Sequence, residues 1–496
     1  MNQAEVLVVG AGPVGLTLAA ELARRGVVSR IIDQSVGPST TSKAIAIQPR
    51  TLEIFRHMGI VDEVLARGFL VGAGNFYCNG RLLARIDFHE LDSPYGFMVD
   101  LPQNETEQVL LEHLARNGLR VEHETRLLQL KQDSGGVEVE VARPSGGETI
   151  RAQYVVGCDG AHSTVRHALG LEYATSPAPE LVALADAQVD WLYPSELHIF
   201  MHSDGFLACF PLPGGRFRLI ADITAQEPED AAQSRPPRAT PERLRSIIRR
   251  RADPDANISE ITWLAAFAIQ RQAVKCYSRG RAFLAGDAAH VPSPAGGQGM
   301  NTGIQDACNL AWKMQLVLRG DATETLLESY NAERAPVGRD VVALSDAFAQ
   351  AATSGLASMV HQISEIGINY RQSPIVAQDW NRPGGPQPGD RAPVIGDLNG
   401  TSHHLLLFSA GDRDLSRLAE LQRAAPEGIV ATRLVTPSPV EWNAPLLLDE
   451  NLSIHKQYGA TSNCAYLIRP DGYVAYRCSP ADPERLCSYL RSVLRL

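Results

Sequence analysis

Two apolar runs, each followed by glycines and then by a helical repeat, set out the plan of this chain. Residues 6–9 are uniformly apolar and end in Gly10-Ala11-Gly12-Pro13-Val14-Gly15. Val14, Leu18 and Leu22 then fall on one helical face, and Gly26 supplies a stop. Residues 27–32 return to a strand pattern that closes at Asp33. The second run, residues 282–285, breaks at Gly286-Asp287, passes Pro292 and Pro294, and crosses Gly296-Gly297-Gln298-Gly299. Beyond Asn301, Ile304, Cys308, Ala311 and Met314 keep helical spacing. Both segments predict a buried strand, a glycine turn and a helix start.

Between and after them the pattern changes twice. A helix is predicted to open at Pro49-Arg50-Thr51-Leu52-Glu53 and end near Gly59, with others over 105–116 and 241–251. Residues 76–88, 95–101 and 119–123 read as strands, and 136–142 with 149–156 as a hairpin. Residues 198–201, 206–211 and 217–223 are short, aromatic-bearing runs bounded by turn residues, which predict an antiparallel sheet. Residues 227–241 are polar and proline-rich, a surface loop, and helices continue to about residue 370. Residues 381–393, NRPGGPQPGDRAP, read as a linker. Strands at 404–408, 446–448 and 465–468, a hairpin at Arg469-Pro470-Asp471-Gly472 and a last helix then predict a small separate domain.

Composition narrows the class. A chain of 496 residues predicts two or three domains. With 44% hydrophobic and 21% charged residues it is of ordinary globular type, and a net charge of -10 argues against nucleic acid as a partner. No apolar run is long enough to span a bilayer, and the opening strand lacks the pattern of a signal peptide. Eight cysteines without a CxxC pair suggest neither disulfides nor a metal site. The expectation is a cytoplasmic protein with no membrane partner.

The first glycine turn carries chemistry of its own. In a strand–turn–helix unit with G-x-G-x-x-G, the first glycine permits the bend, the second admits a pyrophosphate and the third lets the helix pack on the strand. Asp33, closing the second strand, stands where an acid accepts hydrogen bonds from an adenosine ribose. The second turn places Asp287 and a row of backbone N–H groups at a helix N-terminus, which suits an anion or an electron-rich ring edge.

Three motifs stand in chain order: GAGPVG with Asp33, GCDGAHSTVR, and GDAAHVPSPAGGQGMNTG. Together they resemble the single-component (class A) flavoprotein monooxygenases, the family of para-hydroxybenzoate hydroxylase and phenol hydroxylase, over about residues 4–345. TSNCAYLIRPDGYVAYR resembles the thioredoxin-like C-terminal domain of the phenol hydroxylase branch and of polyketide-tailoring hydroxylases. The resemblance implies an α/β fold: a Rossmann-like FAD-binding domain, an inserted, mostly antiparallel β-sheet substrate domain and a thioredoxin-like C-terminal domain. The borders follow as 1–175 (with a small β insertion about 76–100), 176–273, 274–380 and 394–496. Without a CxxC the last domain is expected to serve packing or homodimerisation, and a chain ending near Gln387 is expected still to bind FAD.

The resemblance also implies roles. Gly10, Gly12, Pro13 and Gly15 would hold the FAD pyrophosphate and Asp33, with Gln34 beside it, the adenosine ribose; most relatives carry glutamate where Asp33 stands. Lys43, where relatives often carry arginine, and Arg50 belong to the same cofactor set. Gln103 would contact the flavin side and Leu127 the adenine through its backbone. Asp159 and Gly160 are linked to both FAD and reduced nicotinamide. Asp287 would hold the ribityl chain, and Pro294, Gly297, Gly299, Met300 and Asn301 the pyrimidine edge of the flavin. His290 is read as structural.

The activity implied is hydroxylation of an aromatic, phenolic or polyketide-like small molecule by tightly, non-covalently bound FAD, with NADH or NADPH and O2, through a flavin C4a-hydroperoxide. Baeyer–Villiger oxidation, N-hydroxylation and a non-catalytic flavin-binding protein are the alternatives. A halogenase lacks its WxWxIP stretch here. No catalytic side chain or metal is assigned, because the flavin carries the chemistry. Tyr77, His198, Phe200, Phe206, Phe210 and Arg216 are the candidates for a substrate pocket.

Overall fold

The computed structural model describes residues 3–39, 42–175, 179–191, 193–224, 238–350, 361–396, 398, 400–411 and 414–495. The loop expected over 227–241 lies outside the described residues as far as 237, as does 351–360 of the helical stretch. By compactness the chain divides into two interleaved units, Met1–Ala20 with Val28–Ala307 and Pro336–Glu365, and Glu21–Val27 with Cys308–Ala335 and Ile366–Leu496. Among the described residues no helix is long and apolar enough to cross a membrane.

The first unit is built on a sheet whose core is parallel. Gln3–Val9 pairs in parallel with Ser29–Ile32 on one side and Gly146–Gly157 on the other, and Gly146–Gly157 pairs in parallel with Ala282–Leu284. Leu7, Val8, Ile31, Val155 and Leu284 have no exposed surface, as expected for strands buried on both faces. Parallel pairing puts the carboxyl ends of these strands at one edge. The glycine turn after Val9, the Asp159 turn after Gly157, the Gly286 turn after Leu284 and Asp33 after Ile32 therefore share that edge. Ligands bind at such edges in open α/β sheets.

A second sheet runs in the order Asn257–Ile269, Glu180–Asp190, Arg216–Asp222, Gly205–Leu212, Leu197–His202, Ala73–Cys78, Arg81–Asp87. The segment expected as a small insertion thus adds two strands to this sheet. The two long strands Glu180–Asp190 and Asn257–Ile269 were not expected, because alanines blur the alternation of both and an internal aspartate that of the first. One face of this sheet is covered by helix Pro241–Arg251, whose Leu244, Ile247 and Ile248 pack with Leu207, Cys209, Phe217 and Leu219. A third, small sheet joins Ala46–Ile47, Met98–Asp100 and Phe69–Val71.

The second unit carries a six-stranded sheet. His403–Phe408 lies parallel to Val430–Thr436 with helix Ser416–Ala424 between them in sequence. Cys464–Ile468 and Val474–Ser479 follow as an antiparallel hairpin, and helix Pro483–Val493 closes the chain. This βαβ-then-hairpin order is the one expected for a thioredoxin-like domain. Its core reaches beyond the expected border: Trp312, Leu316 and Leu326 pack with Leu405, Leu407, Leu434 and Leu486. Nor is 381–393 a free linker. Gly389 N–H donates to the Val474 carbonyl at 2.7 Å, and Arg477 donates to the Gly384 and Pro386 carbonyls at 3.0 Å each. Proline and glycine serve here in a strap bonded to the sheet.

Within this unit Glu333 accepts from Lys313 at 2.8 Å, from Arg469 at 2.6 and 2.9 Å, and from Asn309 at 2.7 Å, all fully buried. Burial alone would raise the Glu333 pKa, but Arg469 and Lys313 outweigh it and hold it well below the usual carboxylate range. Burial pushes the Lys313 pKa down to about 8, against the upward pull of Glu333.

Two outcomes follow. A chain ending near Gln387 loses the partners of Trp312 and Glu333, so it is expected to aggregate on expression; a soluble, flavin-binding product would contradict this. Glu333→Gln removes the charge that balances Lys313 and Arg469, and the unfolding free energy is expected to fall by about 3–5 kcal/mol. An unchanged urea midpoint would show the cluster to be neutral for stability.

Candidate functional site

The parallel-sheet edge begins with the first glycine turn. A Cβ on Gly15 would stand 1.9 Å from the Gly10 carbonyl oxygen, so the helix Pro13–Arg24 lies hard against the strand end. Around Gly12, by contrast, a Cβ would meet nothing within 4 Å. The glycine at this position is not required by protein packing, and the open space suits an approaching ligand backbone. Asp33 Oδ2 accepts the Ala11 N–H at 2.7 Å, while Oδ1 accepts from the Ser35 N–H at 2.8 Å. The acid braces the glycine turn, with lone pairs left over for a ribose hydroxyl. Gln34 beside it is exposed.

The second glycine turn packs on the first. A Cβ on Gly286 would lie 2.8 Å from Val14 Cγ2, and one on Gly303 would lie 2.5 Å from the same atom and 3.0 Å from Gly286 Cα. Asp306, fully buried, accepts the Gly286 N–H at 3.0 Å and lies 2.8 Å from His290 Nε2, which accounts for His290 structurally. The Asp287 side chain is exposed. Its pKa is nonetheless raised by desolvation, against the pull of His290 and Lys43. Its backbone carbonyl accepts the Tyr173 hydroxyl at 2.6 Å, and Arg166 donates to that hydroxyl at 2.7 Å.

Beyond it lies the turn Pro294–Gly296, then Gly297 at φ +61°, a conformation that favours glycine. The helix Gly299–Arg319 starts two residues later, so the N–H groups of Gly299, Met300 and Asn301 belong to its first turn and have no intrahelical acceptor. Asn301 is fully buried and works as a clamp. Its Oδ1 accepts the Gln48 N–H at 2.9 Å, and its Nδ2 donates to the Ala46 and Gly297 carbonyls at 2.9 and 2.8 Å. Thr302 donates to Glu365 at 2.7 Å, and Gln298 to the Gln362 carbonyl at 2.8 Å, fixing the same turn from the other side.

Several cofactor candidates have their side chains engaged with protein. Gln103 accepts the Ala44 N–H at 3.2 Å and donates to Glu107 at 2.8 Å, so it braces the 42–44 loop. Arg50 is buried in an ion pair with Glu53 at 2.8 Å. Asp159 accepts the Thr164 N–H at 2.7 Å and the Ser163 hydroxyl, capping a short helix; burial raises its pKa against those bonds. Gly160 beside it is open, with nothing within 4 Å of an added Cβ. Leu127 is buried within a strand, which leaves its backbone as the available part. Lys43 is exposed, 5.7 Å over the Phe267 ring.

On the uncovered face of the second sheet, register pairs Phe210 with Arg218, Arg218 with Asp186, and Asp186 with Trp263, one row across four strands. Arg218 donates to both Asp186 oxygens at 2.7 Å, to Ser42 Oγ at 2.7 Å and to the Ala44 carbonyl at 3.2 Å. A cavity of about 430 Å³ lies here, lined by Asp100, Asp186, Leu212, Arg216, Arg218 and Trp263 among others. Phe210 and Ala46 stand against the glycine turn, since a Cβ on Gly297 would lie 3.1 Å from Ala46 Cβ and 3.8 Å from Phe210 Cε1, and each is the cross-strand partner of a lining residue, Arg218 and Asp100 respectively.

Of the pocket candidates, the structure brings Phe210 and Arg216 to this side. Tyr77, His198 and Phe200 stand on the other face, where Tyr77 stacks on Phe200 at 4.6 Å and both rings meet Tyr193. Strand alternation sets this: His198 and Phe200 are paired with Cys209 and Leu207, which face helix Pro241–Arg251. Phe206, four residues before Phe210 in the same regular strand, is buried on the same face as Phe210 but is not among the residues that line the cavity. Arg218, Asp186, Trp263 and Asp100 were missed. The available signal was a charge at the middle of an otherwise apolar strand, in RFRLIAD and ALADAQVD.

Comparison with known proteins now assigns the class. Residues 3–345 match the FAD binding domain family, and the chain belongs to it. It is 35% identical to a 6-methylpretetramide 4-monooxygenase from Streptomyces rimosus, covering 99% of this chain and 93% of that protein. It is 31% identical to a pentachlorophenol 4-monooxygenase from Sphingobium chlorophenolicum, covering 96% and 94%. The structure of aklavinone-11 hydroxylase in a ternary complex with FAD and aklavinone superposes with a TM-score of 0.80 at 27% identity, covering 99% of both chains. The protein is an FAD-dependent aromatic monooxygenase of the para-hydroxybenzoate hydroxylase type.

The residues present fit FAD: open space at Gly12, an accessible acid at Asp287 and first-turn N–H groups beyond Gly297 lie along one edge. Gly12→Val is therefore expected to purify with little flavin absorbance, yet to melt at the temperature of flavin-free wild type, since its new side chain meets no protein atom. Asp287→Ala is expected to lose flavin as well. Full flavin content at wild-type affinity in either variant would contradict these roles.

Proposed function

We propose that this enzyme hydroxylates a small aromatic molecule, phenolic or polyketide-like, in the cytoplasm, using NAD(P)H as reductant and O2 as oxidant. The observation that carries the reading is that Ala46 and Phe210, which stand against the Gly297 turn, are the cross-strand partners of the cavity-lining Asp100 and Arg218. Relatives named for 6-methylpretetramide, pentachlorophenol and aklavinone support an aromatic substrate. Bound FAD would supply the redox chemistry, taking reducing equivalents from nicotinamide and activating dioxygen.

The chain's own contribution is position, charge and dryness. The first turn of helix Gly299–Arg319 directs N–H groups and the positive end of the helix dipole to where negative charge develops on reduction. Asn301 keeps that turn in place without reorganisation during the reaction. Leu212 and Trp263 offer apolar walls to a planar ring, and a cavity of about 430 Å³ is of ordinary ligand-site size. Exclusion of water protects the activated oxygen from wasteful loss. The fixed Arg218–Asp186 pair gives the cavity a polar wall of set geometry.

Purified holoenzyme is expected to oxidise NAD(P)H slowly alone and much faster with the right hydroxyarene. Mass spectrometry should then show one oxygen atom from labelled dioxygen in the product. Label arriving from water, or reduction indifferent to every aromatic compound tried, would overturn the proposal.

A further inference from the structure

Asp100 closes the strand Met98–Asp100 and is 1% exposed. Neither of its carboxyl oxygens has a hydrogen-bond partner among the described residues. Native interiors retain few such groups, because each forfeits the hydrogen bonds it had with water. The nearby donors are engaged: Arg218 serves Asp186, Ser42 and the Ala44 carbonyl, and the Gln103 N–H donates to Ser42 Oγ at 2.8 Å. Burial raises the Asp100 pKa well above the ordinary aspartate value, with Arg218 pulling weakly the other way. Burial thus favours the neutral form, which has one proton to donate and lone pairs to accept.

Its place in the fold gives it a use. Asp100 is a lining residue of the cavity beside Arg218, Leu212 and Trp263. Register sets it directly opposite Ala46, and side chains so paired lie on one side of the sheet about 5 Å apart. Ala46 is the residue against Gly297. The orphaned acid therefore stands one residue away from the glycine turn.

We propose that Asp100 is the anchor for a hydroxyl group of the aromatic substrate, and that it selects hydroxyarenes over arenes of the same shape without a hydroxyl. This rests on the reading of the cavity as the substrate site. Rotation about the Asp100 Cα–Cβ bond turns the carboxyl from its sealed position toward the ligand oxygen. There it donates to that oxygen or accepts the hydroxyl proton in a hydrogen bond, with no bond made or broken. A site that hydrogen-bonds a substrate hydroxyl rejects the analogue lacking it, because its own polar group is then left unpaired.

The test uses FAD-loaded enzyme and paired probes, 1-naphthol with 1-methoxynaphthalene and 1-hydroxyanthraquinone with anthraquinone. Binding is read from the perturbation of the oxidised flavin spectrum, independently of turnover. Wild type is expected to bind the hydroxy member of a pair at least about tenfold more tightly. Asp100→Ala should erase that preference by weakening the hydroxy member alone, and isosteric Asp100→Asn should keep part of it. Flavin content and melting temperature of both variants should match or exceed wild type, since an unpaired buried acid is removed. Preference unchanged in Asp100→Ala, with the probes still bound, overturns this inference alone. Failure of wild type to bind any of the four overturns it together with the aromatic reading of the cavity.

Discussion

The close approach of Val14, Gly286 and Gly303 is the contact on which the site depends. A side chain at either glycine would run into Val14 Cγ2 at under 3 Å. With both bare, the helix beginning at Pro13 and the helix beginning at Gly299 bring their N-termini to the same edge of the parallel sheet. Each terminus carries unsatisfied N–H groups and the positive end of a dipole. An elongated anionic cofactor can then be held at both places by backbone alone, leaving side chains free to brace the turns. That division explains why Asn301, Gln103 and Asp159 are engaged with protein.

A second constraint couples the sheets of the first unit. Arg218, rising from the middle of the seven-stranded sheet, reaches Ser42 and Ala44, and Gln103 grips the same loop. The 42–46 segment is thereby fastened to the wall of the cavity and, through Asn301, to the glycine turn. Buried charge of this kind is tolerated because every Arg218 bond has a defined acceptor, two of them on Asp186. Asp100, beside it, has both carboxyl oxygens without a hydrogen-bond partner among the described residues, and unsatisfied groups of this kind are found where ligands act.

The parallel strands and their glycine turns were legible in the sequence for a physical reason. Strands buried on both faces leave unbroken apolar runs, and the residues 6–9 and 282–284 are such runs. Glycines forced by contact, such as Gly15, and glycines kept open, such as Gly12, look alike as letters and separate only in three dimensions. The strands Glu180–Asp190 and Asn257–Ile269 escaped because the alanines in both, and Asp186 in the first, carry little strand signal. Tyr77, His198 and Phe200 were placed toward the substrate because aromatic residues occupy both faces of that sheet, and only helix Pro241–Arg251 decides which face is closed. The proline-glycine strap at 381–393 resembles a linker in composition, while Gly389 and Arg477 show it bonded to a sheet.

The central claim is that glycine-enforced packing of the two helix starts creates the cofactor site. Titration of FAD into flavin-free Gly303→Ala protein, followed by flavin fluorescence, tests it most directly. The added methyl must push Val14 or Gly286 aside, so affinity is predicted to fall at least about tenfold while far-ultraviolet circular dichroism stays that of a folded chain. Wild-type affinity in the folded variant would contradict the account.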